Sequence, residues 1–423
     1  MLFTLLAIRT SDSVDNDIVN EITDEQYIED IKQEIDDSFN KYMMDEVEYT
    51  HVPEFDPTGD YSGIKAITYS AVDGYKVFAY IGFPDDCAED TSSVILVHGG
   101  GGHSYLPWIK QWNEKGYIAI APDVTGYFPT AVNAGASTTD GLWIHELNGI
   151  FEEEGKKPIP DNDGFSKSAQ PLDEQWIYHV LVSLEKSYQI LGEIAPETKT
   201  GVCSVSWGAV VSTIFAGYEN RLAWFVPVYG STCLSESKSY MGSIFSDPLT
   251  KAIWEDGIAE KIKCPVFWMC SDYDENFSVN SNSDSFLLTR TNEMTRIAIL
   301  SQFKHSHENA WEKAEPFMFA EAVLECNDTL PGFETYPTKE SVECKVVNAT
   351  RARLYYLTSE ITFEIRDGEN NGIKYPTEEW KKGTVNLVDG KITGTIPENA
   401  AVYYVSISGG GCTVSTPIIE ISK

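Results

Sequence analysis

A serine motif near the middle of the chain has the clearest chemical potential. Residues 204–208 read Ser-Val-Ser-Trp-Gly, between an apolar run and a stretch with helical periodicity. A tight turn from a strand into a helix can hold one serine hydroxyl above a sheet, where it can attack a carbonyl carbon. The usual motif begins with glycine, and Ser204 is small enough for that place. We therefore expect Ser206 to be a nucleophile.

A serine hydroxyl is a poor nucleophile at neutral pH, so it needs a histidine that accepts its proton. Of the seven histidines, only His305 and His307 follow Ser206 in the chain. Both come just after a predicted strand, residues 296–303, where the base belongs in the chain order serine, acid, histidine. The residues alone leave both histidines open as the base.

The histidine in turn needs a carboxylate that orients the ring and stabilises its charge. This acid should follow the preceding predicted strand, residues 263–269. Residues 270–275 read Cys-Ser-Asp-Tyr-Asp-Glu, which offers Asp272 and Asp274.

Glycines upstream could stabilise the negative charge that such an attack creates. Residues 98–102 read His-Gly-Gly-Gly-Gly, directly after a short apolar run typical of a buried parallel strand. Glycine lets the backbone turn sharply and present bare N–H groups to an oxyanion. We expect the oxyanion hole to consist of the N–H of Trp207 and that of Gly100 or Gly101. Taken alone, the run is equally consistent with a flexible loop.

Alternating strand and helix patterns over residues 94–324 would position these motifs, and they predict a doubly wound, mostly parallel sheet. A hairpin precedes the alternation, with Asp73-Gly74 as its turn. A long excursion between Pro129 and Pro171 is typical of a lid or pocket wall. After Pro331 the pattern becomes that of short strands, which predicts a β-sandwich.

These patterns divide the chain into three parts. Residues 1–50 are an acidic segment with an amphipathic helix, whose stripe of Ile28, Ile31, Ile35 and Phe39 should dock on the main domain. Thr23 and Gln26 have the spacing of a capping box at the start of this helix. Residues 51–330 are the predicted catalytic domain, and residues 334–423 are the predicted β-sandwich domain.

Composition excludes several classes of function. The 423 residues carry a formal net charge of −34, which repels phosphate backbones, so we expect no nucleic-acid partner. Anionic membrane surfaces are disfavoured for the same reason. No apolar run reaches the roughly 18 residues of a membrane span. The apolar stretch at residues 1–8 is a short, marginal signal that weakly favours secretion over a cytoplasmic location.

Cysteine usage argues against a metal centre. The chain has eight cysteines but no Cys-x-x-Cys pair, so we expect no zinc site, and the motifs above require no cofactor. Cys344 and Cys412 lie near the two ends of the C-terminal segment and could form a disulfide. Buried free thiols are an equally good interpretation.

The chain also resembles the bacterial α/β-hydrolases labelled acetylxylan esterase or prolyl-oligopeptidase-like that carry a C-terminal β-sandwich. The similarity runs from about Tyr75 to the C-terminus, and the motifs that carry it are residues 94–102, 112–121, 175–179, 205–208, 226–230, 354–356 and 413–416. Departures are Ser204 for glycine, Ala209 after the motif, and Ser306 between the two histidines.

The resemblance implies roles for individual residues. Counted from Trp268, the family's acid falls on Asp274, and its His-Gly-His becomes His305-Ser306-His307 here. It thus implies a triad of Ser206, Asp274 and His305, with His307 as the alternative base. The implied fold is the α/β-hydrolase fold with a C-terminal β-sandwich, and the implied substrate is an acetylated carbohydrate.

Three functions are compatible with the sequence, and oligomeric state stays open. The first is a serine carboxylester hydrolase that works without cofactor on a small-molecule or carbohydrate ester. The second is a serine peptidase of the prolyl-oligopeptidase kind, in which residues 152–154 (Glu-Glu-Glu) would bind an amine. The third is a non-catalytic carbohydrate-binding protein, in which Trp143, Trp207 and Trp254 would stack on sugar rings.

Overall fold

The computed structural model describes residues 25–126, 164–366 and 372–421. Several sequence predictions fall outside these ranges: the signal at residues 1–8, Thr23 of the capping box, Trp143, the acidic run 152–154 and most of the excursion that follows Pro129. Within the described ranges, no helix is both long enough and apolar enough to cross a membrane.

A nine-stranded sheet forms the centre of the molecule, in the order β1-β2-β3-β5-β4-β6-β7-β8-β9. Strands β1 to β3 are antiparallel neighbours, β3 pairs antiparallel with β5, and the pairs from β5 through β9 are parallel. The strands are β1 (Tyr49–His51), β2 (Lys65–Ser70), β3 (Lys76–Gly82), β4 (Ser93–Val97), β5 (Ile118–Pro122), β6 (Thr200–Val205), β7 (Trp224–Val228), β8 (Phe267–Ser271) and β9 (Arg296–Leu300).

Helices connect and cover these strands, which confirms the predicted doubly wound, mostly parallel sheet. Every residue of β4, β5, β6, β7 and β8 is buried, because helices cover both faces of a parallel sheet. The helices are α1 (Glu25–Met44), α2 (Leu106–Glu114), α3 (Trp176–Ile194), α4 (Trp207–Tyr218), α5 (Pro248–Trp254), α6 (Val279–Thr289), α7 (His307–Trp311) and α8 (Glu315–Leu324).

Helix α1 docks on this core through the predicted apolar stripe. Ile35 and Phe39 are buried, and the Phe39 ring lies 6.2 Å from that of Phe215 on α4. Ser38 Oγ is hydrogen-bonded to the hydroxyl of Tyr178 on α3. Helix α1 is therefore tied to the core by packing and by a partly buried polar contact.

The hairpin turn predicted at Asp73-Gly74 is confirmed. Asp73 has φ 47° and Gly74 has φ 82°, and the flanking strands β2 and β3 pair antiparallel. Two successive residues with positive φ match the right-handed twist of a tight hairpin, which is why aspartate followed by glycine favours it.

The C-terminal part is β-rich, as predicted, and consists of antiparallel sheets with orders β10-β11-β17-β16, β15-β12-β18-β19 and β13-β14, with β20 paired to β18. Its strands are β10 (Gly332–Phe333), β11 (Cys344–Val347), β12 (Arg351–Leu357), β13 (Phe363–Ile365), β14 (Lys374–Pro376), β15 (Lys381–Gly383), β16 (Val385–Val388), β17 (Lys391–Gly394), β18 (Val402–Gly409), β19 (Cys412–Ser415) and β20 (Ile419–Glu420). Ser415 Oγ accepts a hydrogen bond from the N–H of Ile299 on β9 (3.1 Å), so β19 lies against the edge of the central sheet. The sandwich arrangement and the domain boundaries stay predictions.

All eight cysteines are free thiols in the structure. Cys344 and Cys412 are both buried in the C-terminal sheets without forming a bond to each other. Burial raises the pKa of the Cys344 thiol to about 11 and that of Cys412 to about 12. In the structure, Cys344 and Cys412 are therefore buried free thiols and do not form the alternative disulfide.

Candidate active site

Ser206 lies on the turn that joins β6 to α4. Its φ of 57° and ψ of −122° are strained for a residue with a side chain, and such strain is stored at functional sites. The N–H of Ser206 donates to the carbonyl of Val228 on β7 (2.8 Å), which anchors the turn to the sheet. A Cβ on Gly208 would lie 2.3 Å from the carbonyl oxygen of His98, so only glycine fits there. This is the local geometry of a nucleophile elbow.

The three residues predicted as a triad form one hydrogen-bonded chain. His305 Nε2 lies 2.8 Å from Ser206 Oγ, and His305 Nδ1 lies 2.8 Å from Asp274 Oδ2. The other carboxylate oxygen, Asp274 Oδ1, accepts hydrogen bonds from the N–H groups of Asn276 (2.8 Å) and Phe277 (3.0 Å). The Asp274 side chain is 1% exposed, and its orientation is held by hydrogen bonds to three polar atoms.

Two aromatic rings lie beside the imidazole of His305. The ring of Tyr229 lies 4.8 Å away, and that of Phe277 is stacked at 6.1 Å. Burial by itself lowers the pKa of His305, but the negative charge and hydrogen bond of Asp274 outweigh it, so the net pKa is raised. The site thus favours the imidazolium that forms when a histidine takes a proton from serine.

His307 lies beside the glycine run. Its Nε2 accepts a hydrogen bond from the backbone N–H of Gly99 (2.9 Å), and its ring lies 4.8 Å from that of Tyr105. Burial and the neighbouring histidines lower the pKa of His307 to about 3, so its ring stays neutral and keeps this acceptor. Of the two candidate bases, His305 has the contact with Ser206.

The glycine run forms a tight turn beside the elbow. The N–H of Gly102 donates to the carbonyl of Gly99 (3.0 Å), and Gly101 has φ 67°, the backbone that a type II turn requires. Gly100 lines the cleft next to Trp207, whereas Gly101 is absent from the described cleft wall. Trp207 is the first residue of α4, where a backbone N–H has no acceptor within its own helix. Of the two glycines considered, Gly100 is therefore the better placed.

A cleft of about 1110 Å³ opens in front of Ser206 and His305. No lysine or arginine is among the described residues that line it, which are mostly small, apolar or aromatic. The ring of Trp207 is stacked on that of Trp176 (6.1 Å) and forms part of this wall. The remaining wall residues are Gly100, Gly164, Phe165, Ser166, Ser168, Ala169, Tyr240, Met241, Ser243, Ile244, Asp247, Pro248, Leu249, Thr250 and Asn276.

Several of these wall residues belong to the end of the predicted excursion. Residues 164–169 supply five of them, so the described end of that segment forms pocket wall. Trp254, a candidate for sugar stacking, is 1% exposed and donates its Nε1–H to Gln175 (3.1 Å), which removes it from any binding surface. Across the described ranges, no cluster of histidine, cysteine and carboxylate side chains could hold a metal ion.

Sequence reasoning missed the aromatic support of the base. Tyr229 follows strand β7 directly, at the same sheet edge as the elbow, and its hydroxyl donates to the carbonyl of Lys304 (2.7 Å). An aromatic residue directly after a buried strand was the available signal. It says nothing about which distant loop the ring will contact.

No protein-family model and no curated protein matches the chain. Among solved structures, an acetyl xylan esterase from a Paenibacillus species is similar with a TM-score of 0.50 at 16% identity, covering 73% of this chain and 99% of that one. Acetyl xylan esterase 1 from a Thermoanaerobacterium species has a TM-score of 0.49 at 15% identity, covering 69% and 93%. At such low identity a structural match shows the fold alone. Together with the sheet order and the elbow, it shows that this chain has the α/β-hydrolase fold.

Proposed function

We propose that this protein is a serine hydrolase that cleaves carboxylic esters, with Ser206 as nucleophile, His305 as base and Asp274 as its orienting acid. The observation that carries the proposal is the hydrogen-bonded chain from Ser206 Oγ through the His305 imidazole to Asp274. It lies on a strained elbow at the floor of an open cleft. A protein that only binds carbohydrate has no need of such a chain.

In the first half of the reaction, His305 Nε2 takes the proton of Ser206 while Oγ attacks the ester carbonyl carbon. The carbonyl π electrons move to oxygen, and the resulting oxyanion is stabilised by the N–H groups of Trp207 and Gly100. When the intermediate collapses, the bond to the alcohol oxygen breaks. The alcohol leaves with the proton held by His305, and the acyl group stays on Ser206.

In the second half, water takes the place of the alcohol. His305 accepts a proton from the water while the water oxygen attacks the acyl-enzyme carbonyl carbon. The N–H groups of Trp207 and Gly100 again stabilise the oxyanion. Collapse breaks the bond to Ser206 Oγ, which regains its proton from His305. The products are the carboxylic acid and the original enzyme, so no cofactor is consumed.

The cleft supports a neutral substrate, and we propose an acetylated carbohydrate. No lysine or arginine is among the described residues of its wall, and Asp247 lies on that wall. With a net charge of −34, the protein repels polyanionic esters. Trp207 and Tyr240 offer aromatic surface to a sugar ring. The structural similarity to acetyl xylan esterases agrees with this choice.

A fluorophosphonate probe followed by intact-mass analysis tests the proposal, because the probe reacts only with an activated serine. We expect one adduct on the wild-type protein and none on Ser206→Ala. The matched control is Ser204→Ala, which removes the buried hydroxyl two residues away and should leave labelling unchanged. Folded wild-type protein that takes no adduct would overturn the proposal.

Substrate class requires a second measurement. We expect acetyl esters of xylo-oligosaccharides to be hydrolysed, and p-nitrophenyl acetate to be cleaved faster than its succinate analogue, whose free carboxylate meets the acidic cleft. Labelling of Ser206 combined with cleavage of peptides that have a free amino terminus, but of no ester, would instead favour the peptidase alternative.

A further inference from the structure

Asp272 precedes the proposed acid by two residues, but its carboxylate has a different set of contacts. Its Oδ1 accepts a hydrogen bond from the N–H of Gln302 (2.7 Å) in the loop after β9. Its own N–H donates to the carbonyl of Leu300 (3.2 Å) at the end of that strand. Asp272 therefore connects the loop that carries Asp274 to the loop that carries His305.

Gln302 is the partner in this connection and lies three residues before His305. Its φ is 52°, an unfavourable conformation for a residue with a side chain unless its surroundings hold it. The hydrogen bond from its N–H to the buried Asp272 carboxylate is the contact that holds it. Because the base follows within three residues, the position of its ring depends on this turn.

The C-terminal sheet contacts the same aspartate from the other side. The hydroxyl of Tyr404 on β18 donates to Asp272 Oδ2 (3.3 Å), and Nε1–H of Trp380 donates to the Asp272 carbonyl (2.8 Å). The two aromatic rings pack edge to face at 4.9 Å, and Tyr355 on β12 is stacked on Tyr404 at 4.9 Å. A cluster of aromatic residues from the C-terminal part of the chain thus contacts the loop that carries the acid.

The residue between the two aspartates is bound as well. The hydroxyl of Tyr273 donates to the carbonyl of Pro376 on β14 (3.3 Å) and accepts a hydrogen bond from Arg366 (2.9 Å). Arg366 and Pro376, like Tyr404 and Trp380, come from the C-terminal part of the chain. The loop that presents Asp274 to His305 is therefore held by this part as well as by Leu300 and Gln302.

We propose that Asp272 is a positioning residue through which Tyr404 and Trp380 of the C-terminal part fix the positions of Asp274 and His305 relative to each other. Asp272 touches neither substrate nor the reacting atoms, and the inference rests on the proposed function of the triad. Asp272 is 5% exposed and burial raises the pKa of its carboxyl, so its hydrogen bonds are needed to hold it there. The C-terminal sheets then have a catalytic purpose as well as a stabilising one.

The test compares two adjacent tyrosines of β18. Tyr404→Phe removes the hydroxyl that contacts Asp272, and Tyr403→Phe removes a hydroxyl that donates to the carbonyl of Thr338, away from the site. Both side chains are fully buried, so each variant removes one buried hydroxyl group. We expect kcat of Tyr404→Phe to fall on the order of tenfold with KM unchanged, because a small displacement of a catalytic group costs rate rather than ground-state binding. Tyr403→Phe should keep the wild-type kcat.

A spectroscopic readout makes the test independent of activity. The proton shared between His305 Nδ1 and Asp274 gives a low-field proton resonance when that hydrogen bond is short and buried. We expect the resonance to broaden or shift in Tyr404→Phe and in Asp272→Ala, and to be retained in Tyr403→Phe. Asp272→Asn keeps an acceptor for Gln302 and should restore part of the signal lost in Asp272→Ala.

The two proposals fail in different ways. If wild-type protein neither hydrolyses esters nor takes the serine probe, the proposed function fails, and the resonance still reports whether Asp272 positions Asp274 and His305. If wild-type protein is active but both phenylalanine variants have the same kcat and the same resonance, the positioning role of Asp272 is overturned.

Discussion

The Nε2 atom of His307 accepts a hydrogen bond from the backbone N–H of Gly99, 2.9 Å away. Because Gly99 begins the glycine turn, His307 supports the proposed oxyanion hole, whereas His305 contacts the nucleophile Ser206. A Cβ on Gly99 would lie 2.9 Å from the Cβ of Ser206, which shows how closely this turn approaches the elbow. Two histidines separated by one residue thus contact different parts of one site.

Alanine variants of the two histidines should therefore differ in severity. His305→Ala should lower kcat by roughly 10³- to 10⁶-fold and abolish serine labelling, because the base is lost. His307→Ala should lower kcat on the order of tenfold and keep the labelling, because only the support of Gly99 is lost. Steady-state kinetics with p-nitrophenyl acetate, together with probe labelling, distinguishes the two. The reverse ranking would make His307 the base.

The pH dependence of kcat/KM should reflect the Asp274 carboxylate. His305 must be neutral to accept the serine proton, and its raised pKa means that activity appears only at a higher pH than for an ordinary histidine. In Asp274→Asn the charge that raises this pKa is gone while burial, which lowers it, remains. We expect the acid limb of the profile to move to lower pH and kcat to fall roughly 10⁴-fold.

The profile of that variant can contradict this account. An acid limb that stays in place in Asp274→Asn would mean that another group sets the pKa of His305. Glu275 also raises this pKa, so Glu275→Gln is the matched control and should give a smaller shift in the same direction.

A buried carboxylate pair should make stability depend on pH. Burial and the neighbouring Glu219 raise the pKa of Glu185 to about 8, from 4.5 in the unfolded chain, although Arg221 contacts both carboxylates. Between these values the folded protein holds a proton that the unfolded chain releases, so stability falls as pH rises.

Glu185→Gln should remove this contribution, because the amide has no proton to lose. Urea unfolding from pH 5 to 8 should then show a smaller decline of the free energy of unfolding than in the wild-type protein. Glu114→Gln alters an exposed carboxylate and should leave the wild-type decline unchanged. Equal slopes in wild type and Glu185→Gln would rule out proton uptake at Glu185.

Thiol titration tests the state of the cysteines. Unfolded protein that has not been reduced should react with eight equivalents of a thiol reagent, because all eight cysteines are free. In the folded protein the exposed Cys87 and Cys326 should react first, and the buried thiols only on unfolding. A titre of six in the unfolded, unreduced protein would indicate a disulfide, with Cys344 and Cys412 as the first pair to examine.

Element type was predictable from the sequence, but element boundaries were less so. Apolar periodicity in the sequence predicts a long helix from Asp173, whereas α3 begins at Trp176, because Leu172–Glu174 form a 3₁₀ turn before it. The sequence also predicts a helix over residues 312–324, whereas α8 begins at Glu315 and has Pro316 in its first turn. Proline lacks an N–H and suits a helix start, a signal that hydrophobic periodicity does not register.

Some strands left no signal in the sequence. The strands β13 and β14 pair only with each other, and most of their residues are partly or fully exposed. Alternation between apolar and polar residues develops where one face of a strand is buried, so a short exposed hairpin lacks it. These strands flank residues 367–371, outside the described ranges.

The sequence by itself determined the alternation of strands and helices over residues 94–324, the elbow at Ser206 and the two loops that could supply an acid and a base. These are local properties, because periodicity, turn residues and motif spacing act within a few residues of one another. Only the tertiary structure decided that His305 rather than His307 contacts Ser206, and that Gly100 rather than Gly101 lines the cleft. It also decided that Asp272 contacts Tyr404, 132 residues away. Such choices depend on how separate loops are placed by the packed sheet, and hydrogen bonds of about 3 Å tolerate no error in that placement.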